Sequence, residues 1–172
     1  ALTKDKITKE EYRRCRKPIG IGSLVGVIIG ATPGTGGGLA AFIAYNQVKQ
    51  ASKHPETFGK GEIEGVAVAE SANIGACGAT MIPMLTLGVP GDGATAILMG
   101  AFMLHGMVPG PSLFAEQGNV LYAIMLGLLV VNVFMYIVGT GLTRFYAHIT
   151  RIPYEILAPI VLTFCIAGSY ST

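Results

Sequence analysis

The chain has 172 residues, 51% hydrophobic and 13% charged, with a mean hydropathy of +0.56. A soluble domain carries roughly 25% charged residues, so a water-facing exterior is poorly supplied and a soluble enzyme is disfavoured. The net charge of +2 is too small to indicate nucleic-acid binding, and the 24 glycines follow no Gly-X-Y period, which excludes collagen-like and disordered chains. Cys15, Cys77 and Cys165 form neither a disulfide framework nor a metal motif and read as small packed thiols. What remains is a helical membrane protein whose glycines permit close packing or break helices.

Residues 1–17 carry Lys4, Lys6, Lys9, Arg13, Arg14, Arg16 and Lys17 and read as a basic flank on the cytoplasmic side, beside the membrane lipid. The order of a signal peptide is absent. Residues 18–172 read as a membrane domain fragment of a longer protein, because the chain starts at Ala1 and ends in an apolar stretch. Within it, 18–45 is long enough to cross ~30 Å of hydrocarbon but is interrupted from Gly30 to Gly38, which predicts two half-helices. Residues 46–64 read as an aqueous loop with short helical ends.

The second broken segment, 65–108, is small and apolar, with Glu70, Asn73 and Thr86 set into it. It breaks at Gly88-Val-Pro90-Gly91-Asp92-Gly93, and the helix that follows, Ala94 to Met107, is too short to span alone. Residues 120–143 form a span ended by Arg144, and 153–172 begin another. With Arg144 and Arg151 on the cytoplasmic side, Glu116 to Asn119 face the other. The fold class is all-α: a polytopic membrane protein with broken or re-entrant helices, one part of an inverted-repeat transporter.

Pro33-Gly34-Thr35-Gly36 and Pro90-Gly91-Asp92-Gly93 share the pattern P-G-x-G, an internal repeat of about 57 residues. Backbone freed from helical pairing inside a membrane must be buried in protein or line a watery cavity. The helix after each break offers unpaired N–H groups and the positive end of its dipole, a ready anion site. Neither motif is a nucleotide fingerprint. Asp92 reads either as ligand of a coupling Na⁺ or H⁺ or as a helix cap, and one residue can serve both. Asn73 and Thr86 offer neutral oxygens to a cation or substrate, or interhelical hydrogen bonds. Glu70 reads as partner of a loop lysine, His105 as a packing residue, and Tyr122, Tyr136, Tyr146 and Tyr154 as interfacial anchors or packing residues.

The succession of Gly30-Ala-Thr-Pro33-Gly34-Thr35-Gly36-Gly37, Ser52-Lys53-His54-Pro55, Glu64-Gly65-Val66-Ala67, Glu70-Ser71-Ala72-Asn73, Leu87-Gly88-Val89-Pro90-Gly91 and His105-Gly106-Met107-Val108-Pro109-Gly110-Pro111 resembles the TctA family over residues 18–115. That family is the large transmembrane subunit of bacterial tripartite tricarboxylate transporters. The resemblance implies an inner-membrane carrier of citrate or related carboxylates, driven by a cation gradient. It further implies a periplasmic solute-binding protein and a small membrane subunit as partners. One departure stands out, since family members commonly show two adjacent asparagines where Asn73 is followed by Ile74.

The resulting expectation is a secondary active symporter with no enzymatic chemistry and no cofactor beyond Na⁺ or H⁺. Thr35, Gly36, Gly37, Asn73, Thr86, Gly91, Gly93 and Thr95 hold substrate, and Asn73 with Asp92 holds the coupling cation. The alternatives are an anion channel and a non-transporting membrane scaffold subunit.

Overall fold

The computed structural model describes residues 7–149 and 153–170. Lys4, Lys6 and Arg151, and the side chains of Arg144, Tyr146 and Tyr154, lie outside what it describes. The described residues are helical throughout with no strand: α1 (Lys9–Gly30), α2 (Gly36–Ala51), a 3-10 turn (Pro55–Thr57), α3 (Ile63–Ala79), α4 (Met81–Leu87), α5 (Gly93–Leu104), α6 (Pro111–Glu116), α7 (Gly118–Ile149) and α8 (Tyr154–Tyr170). The all-α expectation holds. The chain divides into two compact units, Ala1–Gly118 and Asn119–Thr172.

In the first unit the basic flank is already helix. Thr8 Oγ1 accepts from the Glu11 N–H at 3.2 Å, and Glu11 Oε2 accepts from the Thr8 N–H at 2.7 Å, a capping box that starts α1 at Lys9. Those bonds to Thr8, the backbone one foremost, hold the Glu11 carboxyl below its usual range. No element boundary falls at Pro18, which lies buried inside α1. Arg14 donates from Nε to Glu64 and from Nη2 to Glu62, both at 3.0 Å, tying the flank to the start of α3.

Three helices share one seam of small residues. A Cβ on Gly22 would meet Ser71 Oγ, on Gly26 the Ala72 carbonyl oxygen, and on Gly30 the Ala76 carbonyl oxygen at 2.6 Å. The register rises together on both helices, so α1 runs parallel to α3 with backbone against backbone. A Cβ on Gly37 would meet Asn73, while Gly65 packs on Tyr45, so α2 runs antiparallel to α3. Ala40, Ala44 and Val48 of α2 close the core against Val68, Ala72 and Ala76 of α3. Tyr45 and Phe58 cap its lower end edge to face, ring centroids 5.6 Å apart.

The stretch 18–45 is therefore the two half-helices expected, folded back on each other as a hairpin. From Pro18 to Gly30 the apolar arm of α1 covers about 20 Å, short of the ~30 Å hydrocarbon thickness, which is the geometry of a re-entrant element. The segment 65–108 has a further break, before the one at Gly88. Pro83 has no N–H to give the Ala79 carbonyl, so α3 ends there and α4 restarts at Met81, leaving Thr80 fully buried at the junction.

In the second unit, Gly118–Thr143 of α7 is long and apolar enough to cross a membrane. The helix itself continues past this stretch, through Arg144 to Ile149. Tyr122 and Tyr136 are exposed on α7, and α8 carries Pro159 inside it. Of the cysteines only Cys15 is packed; Cys77 and Cys165 are exposed, against the reading of all three as packed thiols.

Candidate functional site

The two P-G-x-G breaks share a sequence pattern but not a geometry. At the first, Gly34 and Gly36 take positive φ values of 79° and 65°, which turn the chain from α1 into α2. Thr35 precedes α2 without capping it: its Oγ1 turns back to the carbonyls of Ile29 (2.6 Å) and Thr32 (2.9 Å). The first-turn N–H groups of α2 accordingly have no side-chain acceptor, and no acidic residue lies in that turn.

At the second break Gly88 takes φ 69°, and Asp92 enters α5 as an extended N-cap. Its Oδ1 accepts from the Thr95 N–H and from Thr95 Oγ1, both at 2.8 Å, and its N–H donates to Thr95 Oγ1 at 2.9 Å. The cap reading of Asp92 is thus realised. Asp92 Oδ2 has no hydrogen-bond partner among the described residues. An anion at the start of α5 would face this carboxylate, so the two breaks are not equivalent anion sites as the repeat led us to expect.

The packing brings the two breaks together. A Cβ on Gly36 would stand 3.7 Å from Asp92 Cβ, and one on Gly37 would run into Asn73 Oδ1, with Asn73 Cγ at 3.2 Å. Gly36, Gly37, Asn73 and Asp92 therefore converge from α2, α3 and the start of α5. Gly91 is pressed on Thr80, whose Cβ would be 2.6 Å from a Cβ at position 91. Thr80 Oγ1 donates to the Cys77 carbonyl at 3.0 Å, so it fixes the wall and leaves no polar atom free. Gly93 is open, with nothing within 4 Å of a Cβ there.

Thr86 Oγ1 donates to the Ile82 carbonyl at 2.7 Å, and Thr95 is buried as the cap partner of Asp92. Glu70 is exposed and makes no ion pair with a loop lysine or any other described residue. His105 is the exposed C-cap of α5 rather than a packing residue. Sequence reasoning missed Thr80 and the seam Gly22, Gly26, Gly30. A polar residue three positions before Pro83 and a strict four-residue glycine spacing were their signals. Among the described residues no three His, Cys, Asp or Glu side chains gather as a metal centre.

A helical assembly whose broken helices meet, one bare helix N-terminus beside a half-used carboxylate, belongs to the architecture of membrane transporters. The comparison with known families makes this specific. The family model of the tripartite tricarboxylate transporter TctA family matches residues 2–172, and the chain belongs to that family. It is 39% identical over 165 residues to an Agrobacterium vitis protein described as an uncharacterized 52.8 kDa protein in the TAR-I ttuC' 3' region. It is 38% identical over 146 residues to one described as an uncharacterized protein in the TAR-II ttuC' 3' region of the same organism. Those matches cover 96% and 85% of this chain but 33% and 60% of the relatives, so the chain spans a part of each. No solved structure matches.

Proposed function

We propose that the chain forms part of the solute path of a cation-coupled symporter for tricarboxylates such as citrate, or related carboxylates. In this reading the bare N-terminus of α2, from Thr35 through Gly37, receives a substrate carboxylate. Asp92 Oδ2 and the Asn73 amide oxygen receive a coupling Na⁺ beside it. The observation that carries the reading is the 3.7 Å approach of Asp92 Cβ to the Gly36 position. It puts a carboxylate next to a helix start that has no side-chain cap, so that anion and cation bound together neutralise each other before moving through lipid. The whole protein works in the bacterial inner membrane with a periplasmic solute-binding protein and a small membrane subunit.

The test is Asp92→Asn in the full-length protein, reconstituted with its binding protein and assayed across citrate, other tricarboxylates, dicarboxylates and aromatic acids. Asparagine caps a helix about as well as aspartate, so insertion and folding persist. Gradient-driven uptake is expected to fall by at least about ten-fold, the loss of a charged ligand being worth ~1.4 kcal/mol or more. Coupled uptake at the unaltered rate removes Asp92 from the mechanism. A channel would instead give flux that neither saturates nor depends on the gradient. For a scaffold, a cysteine at Gly93 would be closed to aqueous thiol reagents. Gly36 is unsuited to that probe because its positive φ strains any other residue.

A further inference from the structure

Between Lys60 and Arg144 the sequence contains no lysine or arginine, yet it places Glu70 in the apolar helix α3. With no cation on this stretch and no partner among the described residues, a charged Glu70 in an apolar helix is costly unless something neutralises it. The helical register gives it company. Val66, Glu70, Asn73, Ile74 and Cys77 form the exposed face of α3, opposite the buried Val68, Ala72 and Ala76. Glu70 lies one turn, about 4.5 Å of helix rise, from Asn73. It stands on the side of Asn73 that leads to the basic end, where α1 and α3 begin and Arg14 meets Glu62 and Glu64.

We infer that Glu70 is the proton-carrying carboxylate of the transport cycle, taking up one proton when the site is loaded and releasing it toward the basic end. A proton suits it better than Na⁺. Glu70 is a single carboxylate flanked by Val66 and Ile74, whereas a hard cation needs several oxygens. Elements packed on α3 present few competing groups. From Pro18 to Gly30, α1 has no titratable residue, and neither does α4. In α2 the titratable groups are Tyr45, engaged with Phe58 and set against Gly65, and Lys49 beyond it toward the basic end. On α3 itself, Glu64 is bound to Arg14 and Cys77 shares the face.

The inference rests on the transporter reading, and the experiment separates the two. Full-length protein in proteoliposomes, supplied with its binding protein, is assayed for net uptake between pH 6 and pH 8 and for exchange of internal for external substrate. The unaltered protein is expected to take up substrate about ten-fold faster at pH 6 than at pH 8, and Glu70→Gln to reduce that ratio to about one. Exchange, which needs no net proton movement, persists in Glu70→Gln, and Glu70→Asp restores part of the pH dependence. Equal loss of exchange and net uptake would make Glu70 structural and overturn the assignment, as would an unchanged pH ratio in Glu70→Gln. Uptake by the unaltered protein that ignores pH overturns it too, while leaving the symporter reading standing. No uptake at all removes both.

Discussion

Gly37 has no room for a side chain that leaves Asn73 where it is, because a Cβ there would overlap Asn73 Oδ1 and stand 3.3 Å from the Asn73 backbone oxygen. The Asn73 side chain is exposed and makes no hydrogen bond among the described residues, so it can swing aside, whereas the backbone cannot. Gly37→Ala is therefore expected to fold and insert while displacing one oxygen of the site. Misplacing a ligand by about 1 Å costs up to roughly a hundred-fold, so the half-saturation concentration for substrate should rise by ten-fold or more in a binding or uptake titration. An unchanged value would take Asn73 out of the site. The same contact shows what was legible in the residues. The local rules for Pro33, Gly34 and Gly36 foretell a break, and those for Asp92 foretell a cap. That Asn73, thirty-six positions along, arrives at Gly37 depends on the register of two packed helices, to which no local rule applies.

At the scale of elements, α1 and α3 are held by shape more than by bulky apolar contact. Gly22, Gly26 and Gly30 recur every fourth residue and lay the α1 backbone against Val68, Ala72 and Ala76. Gly26→Ala puts a methyl group against the Ala72 carbonyl oxygen, a backbone atom that cannot rotate away. The two helices must separate, at a cost of about 1–3 kcal/mol. Gly20→Ala, with nothing within 4 Å, is the matched control and should instead stabilise α1 by about 0.4–1 kcal/mol. Thermal unfolding of the detergent-solubilised full-length protein ranks the two, and equal midpoints would contradict the backbone contact. The glycine content was visible from composition, and its division between breaks and seam follows from spacing. The end of α3 at Ala79 was hidden because Pro83 acts four residues upstream of itself, inside a run that otherwise reads as continuous helix.

Across the first unit as a whole, charge and direction agree. The parallel course of α1 and α3 and the antiparallel course of α2 bring Lys9 to Lys17, Lys49, Lys53 and Lys60 to one end. The opposite end holds the breaks, with Asp92 at the second of them. Basic residues beside apolar segments stay on the cytoplasmic side, so both arms of the α1–α2 hairpin are expected to emerge there. A single crossing interrupted at Gly30 to Gly38 would put the two arms on opposite sides, and this difference is measurable. In a full-length protein with its natural cysteines replaced by alanine, Arg16→Cys and Lys53→Cys occupy exposed positions on the two arms. Both should resist a membrane-impermeant maleimide in intact spheroplasts and react after the inner membrane is opened. Labelling of one before opening and the other only afterwards would restore the single crossing. The convergence of Gly36 with Asp92 would then need a different path for the chain.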